Sequence, residues 1–179
     1  MPGIDPQRRF QPLNIAVLTI SDSRTLDDDR SGGVLVERLT EAGHHLAQRA
    51  LVRDEPDLIA AQFRQWIDDP GVDVVISTGG TGVTGRDVTP EALEMVIEKP
   101  IPGFGELFRM ISFQKIGSST VQSRAAAGVA KGTYLFALPG SPGACRDGWD
   151  EILRAQLDIR HRPCNFAELL PRLREHEPG

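Results

Sequence analysis

Glycines, threonines, an arginine and an aspartate crowd into Ser77 to Pro90, STGGTGVTGRDVTP, directly after the apolar residues Val72, Val74, Val75 and Ile76. The order reads as a strand, a glycine loop and a helix start. Gly79, Gly80, Gly82 and Gly85 let the backbone visit positive φ and turn N–H groups outward, which suits a phosphate oxygen better than an apolar ligand. Asp87 closes the loop. A carboxylate beside a phosphate cradle is electrostatically unfavourable unless a cation lies between them, so Asp87 points to a divalent metal carried in by a nucleotide.

Two familiar templates fit this loop poorly. Gly80 to Gly85 matches G-x-G-x-x-G, but a dinucleotide fingerprint starts its helix inside the glycine run, whereas here four residues precede Pro90. Gly80 to Asp87 approaches a P-loop with Arg for Lys and Asp for the hydroxyl residue, and an Asp there crowds metal and phosphates. A glycine-rich turn serving geometry alone is the plain alternative. Asp54 in VRDEPD stands where a strand should end and a proline-started helix begin. It is either a helix N-terminal acid favoured by the macrodipole, or a second carboxylate that converges with Asp87 on Mg²⁺. Pro139 to Gly143, PGSPG, follows the last strand and offers backbone N–H groups and the Ser141 hydroxyl to an anion, or is a rigid turn. Ser119, Thr120, Ser123 and Arg124 form a further polar cluster, read either as a phosphate-binding Ser-Arg pair or as the flank of a closely packed small-residue helix. His44 and His45 are adjacent and cannot both face one metal from a strand, while His161 and His176 lie in a polar tail. Trp66 and Trp149 fit the core of amphipathic helices.

The elements that must position these residues alternate. Leu13 to Ser21 is apolar on both faces, as a central strand covered on each side would be. Ser31 is expected to cap a helix through Glu41 that buries Val34, Leu35 and Leu39 and ends at Gly43. His45 to Val52 reads as a strand, and Pro56 opens a helix carrying Leu58, Ile59, Phe63, Trp66 and Ile67. Val72 to Ser77 is a strand, and Thr89 and Pro90 cap and open a helix to Glu98. Phe104 to Phe113 reads as a helix, Thr120 to Val129 as a small-residue helix, Tyr134 to Leu138 as the last strand, and Ala144 to Leu157 as a closing helix. This pattern predicts an α/β protein, a largely parallel sheet with helices on both faces, and a ligand crevice beyond the carboxyl ends of the strands.

Composition sets the frame. At 179 residues with 40% hydrophobic content, the chain is expected to be one core domain over 13–163, with an arm over 1–12 and a tail over 164–179. Twenty Lys and Arg against 25 Asp and Glu give a net charge of −5, so nucleic acid and anionic membrane are not expected partners. Cys145 and Cys164 have no metal-ligand spacing and the start lacks a signal-peptide core, so a cytoplasmic, reduced setting is expected.

STGGTGVTGRDVTPEAL, PGFGELFRMISFQKIG, SRAAAGV and LPGSPGACRDGWDEIL together resemble the molybdenum cofactor biosynthesis proteins of the MoaB and MogA type. The likeness runs from about Leu13 to Pro163 and includes IAVLTISDSR and RSGGVLVERLTEAGH; GFGELFR, QSRAAAGVA, PGACR and the tail favour the MoaB branch. The resemblance implies a three-layer α/β/α molybdopterin-binding fold assembled as a homo-oligomer, trimer or hexamer. It implies molybdopterin and ATP as substrates, with adenylylation of the pterin's phosphate from Mg-ATP and release of pyrophosphate. A separate molybdate-inserting protein would then receive the product. Asp54 and Asp87 match the two acids of active members, as Mg²⁺ ligands and catalytic residues, whereas some MoaB-branch proteins lack them and bind without catalysing. Gly79, Gly80, Thr81 and Gly82 would sit at the nucleotide phosphates, with Ser21, Ser123, Arg124, Gly140 and Ser141 as further substrate contacts. Gly85 departs from many relatives. A non-catalytic pterin carrier and, more distantly, a nucleotide pyrophosphatase are the competing functions.

Overall fold

The structure, a computed structural model, describes residues 1–178. In chain order the elements are β1 (Gly3–Ile4), β2 (Asn14–Ile20), α1 (Arg30–Glu41), β3 (His45–Val52), α2 (Pro56–Ile67), β4 (Val74–Thr78), α3 (Thr89–Glu94), β5 (Lys99–Pro100), α4 (Pro102–Ile116), β6 (Ala126–Ala130), β7 (Thr133–Leu138), α5 (Pro142–Gly148), α6 (Arg154–Gln156), β8 (His161–Arg162) and α7 (Phe166–Leu169). Six strands form one sheet in the order β3-β2-β4-β7-β6-β5. The first four run parallel, and β6 and β5 run antiparallel at one edge. The fold is the expected α/β one, a mostly parallel sheet with helices on both faces.

The double-faced hydrophobicity of the central strands explains the layering. In β2, Ile15 and Val17 enter one core with Leu35 and Leu39 of α1 and Phe104 and Phe108 of α4. Ala16, Leu18 and Ile20 enter the other, with Ile59, Phe63 and Trp66 of α2 and Leu93 of α3. β4 and β7 alternate in the same way: Ile76 and Phe136 face the first core, Val75 and Leu135 the second. A strand with no polar face is stable only when both faces are covered.

Several local expectations need correction. Thr120 to Val129 is no helix: a 3₁₀ turn over Gly117–Gln122 leads into β6. The small residues suggested helical packing, but they alternate with period two, Ala125, Ala127 and Val129 toward one core and Ala126 and Ala130 toward the other. Lys131 (φ 45°) and Gly132 (φ 83°) then close a two-residue hairpin into β7, the positive-φ turn that matches strand twist. α1 is capped by Asp29, whose carboxylate accepts the Gly32 N–H at 2.9 Å, because the Ser31 hydroxyl is used elsewhere. Thr89 lies inside α3, with Val88 at the cap, and α3 ends at Glu94. The closing helix starts at Pro142 and passes through a wide π turn at Trp149–Leu153 before α6. Leu58 faces solvent.

The N-terminal arm returns to the far end of the chain. β1 pairs antiparallel with β8, and Arg8 binds the Glu168 carboxylate at 2.7 Å. Phe10 packs against His44 with ring centroids 5.1 Å apart, and His44 meets Trp149 edge-on at 6.0 Å.

His44 is buried and its Nδ1 accepts the Leu13 N–H at 3.0 Å, so the ring is held neutral. Burial pushes its pKa down from 6.5 to about 4, against the pull of the Asp158 carboxylate. The unfolded chain therefore takes up this proton before the folded one. The stabilisation is complete above about pH 6.5 and lost between there and about pH 4, amounting to roughly 3 kcal/mol. In denaturant titrations across that window, the native chain is expected to lose about that much more stability than His44→Asn, whose side-chain oxygen can accept the same N–H and does not titrate.

Candidate functional site

A cavity of about 720 Å³ opens at the carboxyl ends of the four parallel strands. β2 delivers Ser21, Asp22 and Arg24, β3 delivers Asp54, β4 delivers Gly79 to Gly82 with Asp87, and β7 delivers Pro139, Gly140 and Ser141. Phe108, Ser112 and Lys115 of α4 and the 3₁₀ turn before β6 form its remaining wall. In a doubly covered parallel sheet this is where loops can vary without disturbing the core.

The glycine loop is held by backbone contacts that admit no side chain. Gly79 has φ 105°, and a Cβ there would lie 2.2 Å from the Ile20 carbonyl oxygen. Its N–H donates to Leu138 O at 3.0 Å, and its carbonyl accepts the Thr89 hydroxyl at 2.8 Å. At Gly80 (φ 69°) a Cβ would meet Thr89 Oγ1 at 2.3 Å and Asp54 Oδ1 at 3.1 Å. At Gly82 it would meet Asp87 Oδ2 at 2.6 Å. The two carboxylates thus lie against successive glycines of one loop. Gly85 is different: its φ is not positive and a Cβ there would meet nothing within 4 Å. The expectation that all four glycines serve positive φ holds for Gly79 and Gly80 only.

The acids have opposite electrostatics. Burial raises the pKa of Asp54 above the usual carboxylate value, and the neighbouring Asp22 and Asp87 charges add to it, while Arg86 opposes. For Asp87 burial also pushes upward, but hydrogen bonds outweigh it and the net shift is downward. The Thr84 hydroxyl and N–H donate to Asp87 Oδ2 at 2.7 and 3.0 Å. Arg86 spans the rim, bonding both oxygens of Asp22 at 2.9 Å and Glu55 at 3.2 Å. That bidentate pair holds Asp22 below its ordinary pKa.

Ten of the eleven residues expected at the site line this cavity, Ser123 and Thr81 among them. Arg124 does not. Its guanidinium donates to the Gly82 and Asp87 carbonyls at 2.7 Å each and pairs with Glu91, so it braces the loop from behind. Sequence reasoning missed Asp22, Arg24 and Lys115, and also Asp29, which is buried and binds Thr19, the Gly32 N–H and Arg49 at 3.2 Å. The first two stand directly after a central strand, and that position was the available signal. Among the described residues no group of three or more His, Cys, Asp or Glu could hold a metal ion. Two carboxylates at one edge of a glycine loop could supply part of the oxygen shell of a hard cation, the rest coming from outside the protein.

Residues 16–159 match the family described as probable molybdopterin binding domain. The chain is 51% identical over 157 residues to a molybdenum cofactor biosynthesis protein B of Escherichia coli (strain K12), covering 88% of this chain and 92% of that protein. A crystal structure of a molybdenum cofactor biosynthesis protein B superposes with a TM-score of 0.85 at 37% identity, covering 94% of this chain and 99% of the other. A crystal structure of the tungsten cofactor synthesizing protein MoaB from Pyrococcus furiosus superposes with a TM-score of 0.71 at 34% identity, covering 80% and 91%.

The glycine geometry has a direct mutational signature. Gly79→Ala, forced into positive φ against the Ile20 carbonyl, is expected to cost about 2–4 kcal/mol of unfolding free energy. Gly85→Ala should change it by less than about 1 kcal/mol, in the stabilising direction, and paired denaturant titrations of the two variants check the contrast.

Proposed function

Because this chain belongs to the molybdopterin-binding-domain family, of the MoaB type, we propose that it acts in molybdenum cofactor biosynthesis as a molybdopterin adenylyltransferase using Mg-ATP. The observation that carries the reading is the placement of Asp54 and Asp87 against Gly80 and Gly82 at the strand ends, inside a cavity of about 720 Å³. A phosphate oxygen of molybdopterin attacks the α-phosphorus of ATP. The new phosphoanhydride bond forms as the bond from the α-phosphorus to the oxygen bridging to the β-phosphate breaks, and pyrophosphate leaves. Such a transfer asks the protein mainly for positioning and charge neutralisation.

Asp87, kept ionised by its Thr84 bonds, would hold a Mg²⁺ brought by the triphosphate, with Asp54 assisting across the loop, and the cation would supply charge neutralisation for the phosphates. The backbone N–H groups of Gly80 and Thr81, between the two acids, bind phosphate oxygens. Ser21, Ser123 and Ser141 line the remainder of the cavity as hydroxyl partners for the substrates. Arg124 acts through the loop it braces. Assembly as a trimer or hexamer belongs to the same reading, and the exposed Leu107, Met110 and Phe113 of α4 offer it an apolar surface. The adenylylated product would pass to a molybdate-inserting protein.

Purified protein given molybdopterin, ATP and Mg²⁺ is expected to release pyrophosphate and form adenylylated molybdopterin. Asp87→Ala should slow this by about 100-fold or more while leaving the circular dichroism spectrum unchanged. Normal turnover in that variant would overturn the assignment, and pterin binding without any reaction of ATP would make the protein a carrier. Metal binding needs ionised carboxylates, so activity should fall in acid as Asp54, the acid with the raised pKa, takes up its proton before Asp87. Arg86 opposes that rise, so in Arg86→Gln the acid limb of kcat/KM should move to higher pH.

A further inference from the structure

The cavity wall carries four carboxylates, Asp22, Asp54, Asp87 and Asp147, and two cations, Arg24 and Lys115. Two of the acids are already matched, Asp22 by Arg86 at 2.9 Å and Asp147 by Lys115. Asp54 and Asp87 are left on the glycine-loop side. The remaining group is Arg24, which has no carboxylate partner among the described residues.

Neutral oxygens hold Arg24 instead. Its Nη1 donates to Ser31 Oγ at 3.1 Å and to the Gly140 carbonyl at 3.2 Å. The Ser31 hydroxyl donates to the same carbonyl at 2.7 Å. Gripping one nitrogen between two elements restrains the guanidinium and leaves its Nε and Nη2 donors without a partner among the described residues. The half-buried guanidinium is thereby presented beside Ser21 and the Gly140–Ser141 turn. A fixed planar fork of donors with no counter-charge, on the wall of a cavity, is a ready receptor for a phosphate.

We propose that Arg24 binds the phosphate that carries no metal, the terminal phosphomonoester of the pterin substrate, while the nucleotide's triphosphate lies with Asp54 and Asp87. The inference rests on the reading of the cavity as a molybdopterin and Mg-ATP site. It assigns the monoester to the part of the cavity where the loops after β2 and β7 meet through Arg24 and Gly140, and the triphosphate to the glycine loop after β4, with the monoester oxygen and the α-phosphorus meeting between them. Arg24 then orients the oxygen that attacks, and Ser31 keeps Arg24 in place.

The test is calorimetric binding of molybdopterin and of ATP with Mg²⁺, each alone, to the full chain and to Arg24→Gln and Arg24→Lys. Arg24→Gln is expected to weaken molybdopterin about 10- to 100-fold, with ATP binding unchanged. Arg24→Lys, which keeps the charge but not the Gly140 and Ser31 grip, should recover part of the loss. A merely structural role would give both variants the same defect. Molybdopterin affinity of the native chain should also rise with pH near 6, as the phosphate takes its second charge, and Arg24→Gln should flatten that rise. Unchanged molybdopterin binding in Arg24→Gln, or an equal or exclusive loss of ATP binding, overturns the proposal. Its failure is separable from that of adenylylation. A native chain that forms no product but loses pterin binding in Arg24→Gln retains the phosphate site without the transferase. A native chain that forms product and binds pterin regardless of Arg24 retains the transferase without this site.

Discussion

At the carboxyl edge of the sheet, the backbones of three neighbouring parallel strands converge on one residue. Gly79 lies under the Ile20 carbonyl at the end of β2 and donates to Leu138 O at the end of β7. A Cβ on Gly140 would approach its Cα to 3.2 Å. No side chain fits between these segments, so the loop after β4 can turn only through positive φ. Thr89, buried at the start of α3, ties the loop down with its hydroxyl on Gly79 O and its N–H on Gly80 O. The positions of Asp54 and Asp87 follow, because each carboxylate occupies space that a larger residue at Gly80 or Gly82 would fill.

That constraint also sorts the charges. Acids that only shape the rim are neutralised by cations of the protein, Asp22 by Arg86 and Asp147 by Lys115. The acids against the glycines, Asp54 and Asp87, form no ion pair among the described residues. Among the described residues, the cation on the cavity wall that pairs with no carboxylate is Arg24, in the loop after β2, bonded to the Gly140 carbonyl of the loop after β7. An overall negative chain can in this way accept polyanionic ligands, because the potential that matters is set within a few ångströms of the loop rather than by net charge.

The layered fold was legible because β2, β4 and β7 are apolar on both faces and separated by amphipathic helices, a pattern with few other solutions. The site was legible where residue type and strand end coincide, as at Gly79, Gly80, Asp54 and Ser141. The antiparallel edge was not. Alanine and glycine in Ala126–Ala130 carry little intrinsic preference, and the deciding contact, Ile97 against Gly128, joins segments far apart in sequence. Arg124 was misjudged for a related reason: an arginine near a loop looks the same in sequence whether it faces the ligand or grips the loop's carbonyls from behind. The Asp29 cap was hidden because Ser31 is an equally good capping residue, and only the Gly140 carbonyl drew its hydroxyl away.

The pairing of β4 with β7 gives the site a place in time as well as in space. β2, α1, β3, α2, β4 and the whole glycine loop are synthesised before any residue of β7. Until β7 docks, Gly79 lacks the acceptor for its N–H and β4 lacks one neighbour. A nascent chain that has already displayed its glycines and both aspartates therefore still has no fixed loop. The candidate site is completed by the segment that also closes the sheet, so chains stalled or clipped before Leu138 should lack the fixed glycine loop that finished ones have.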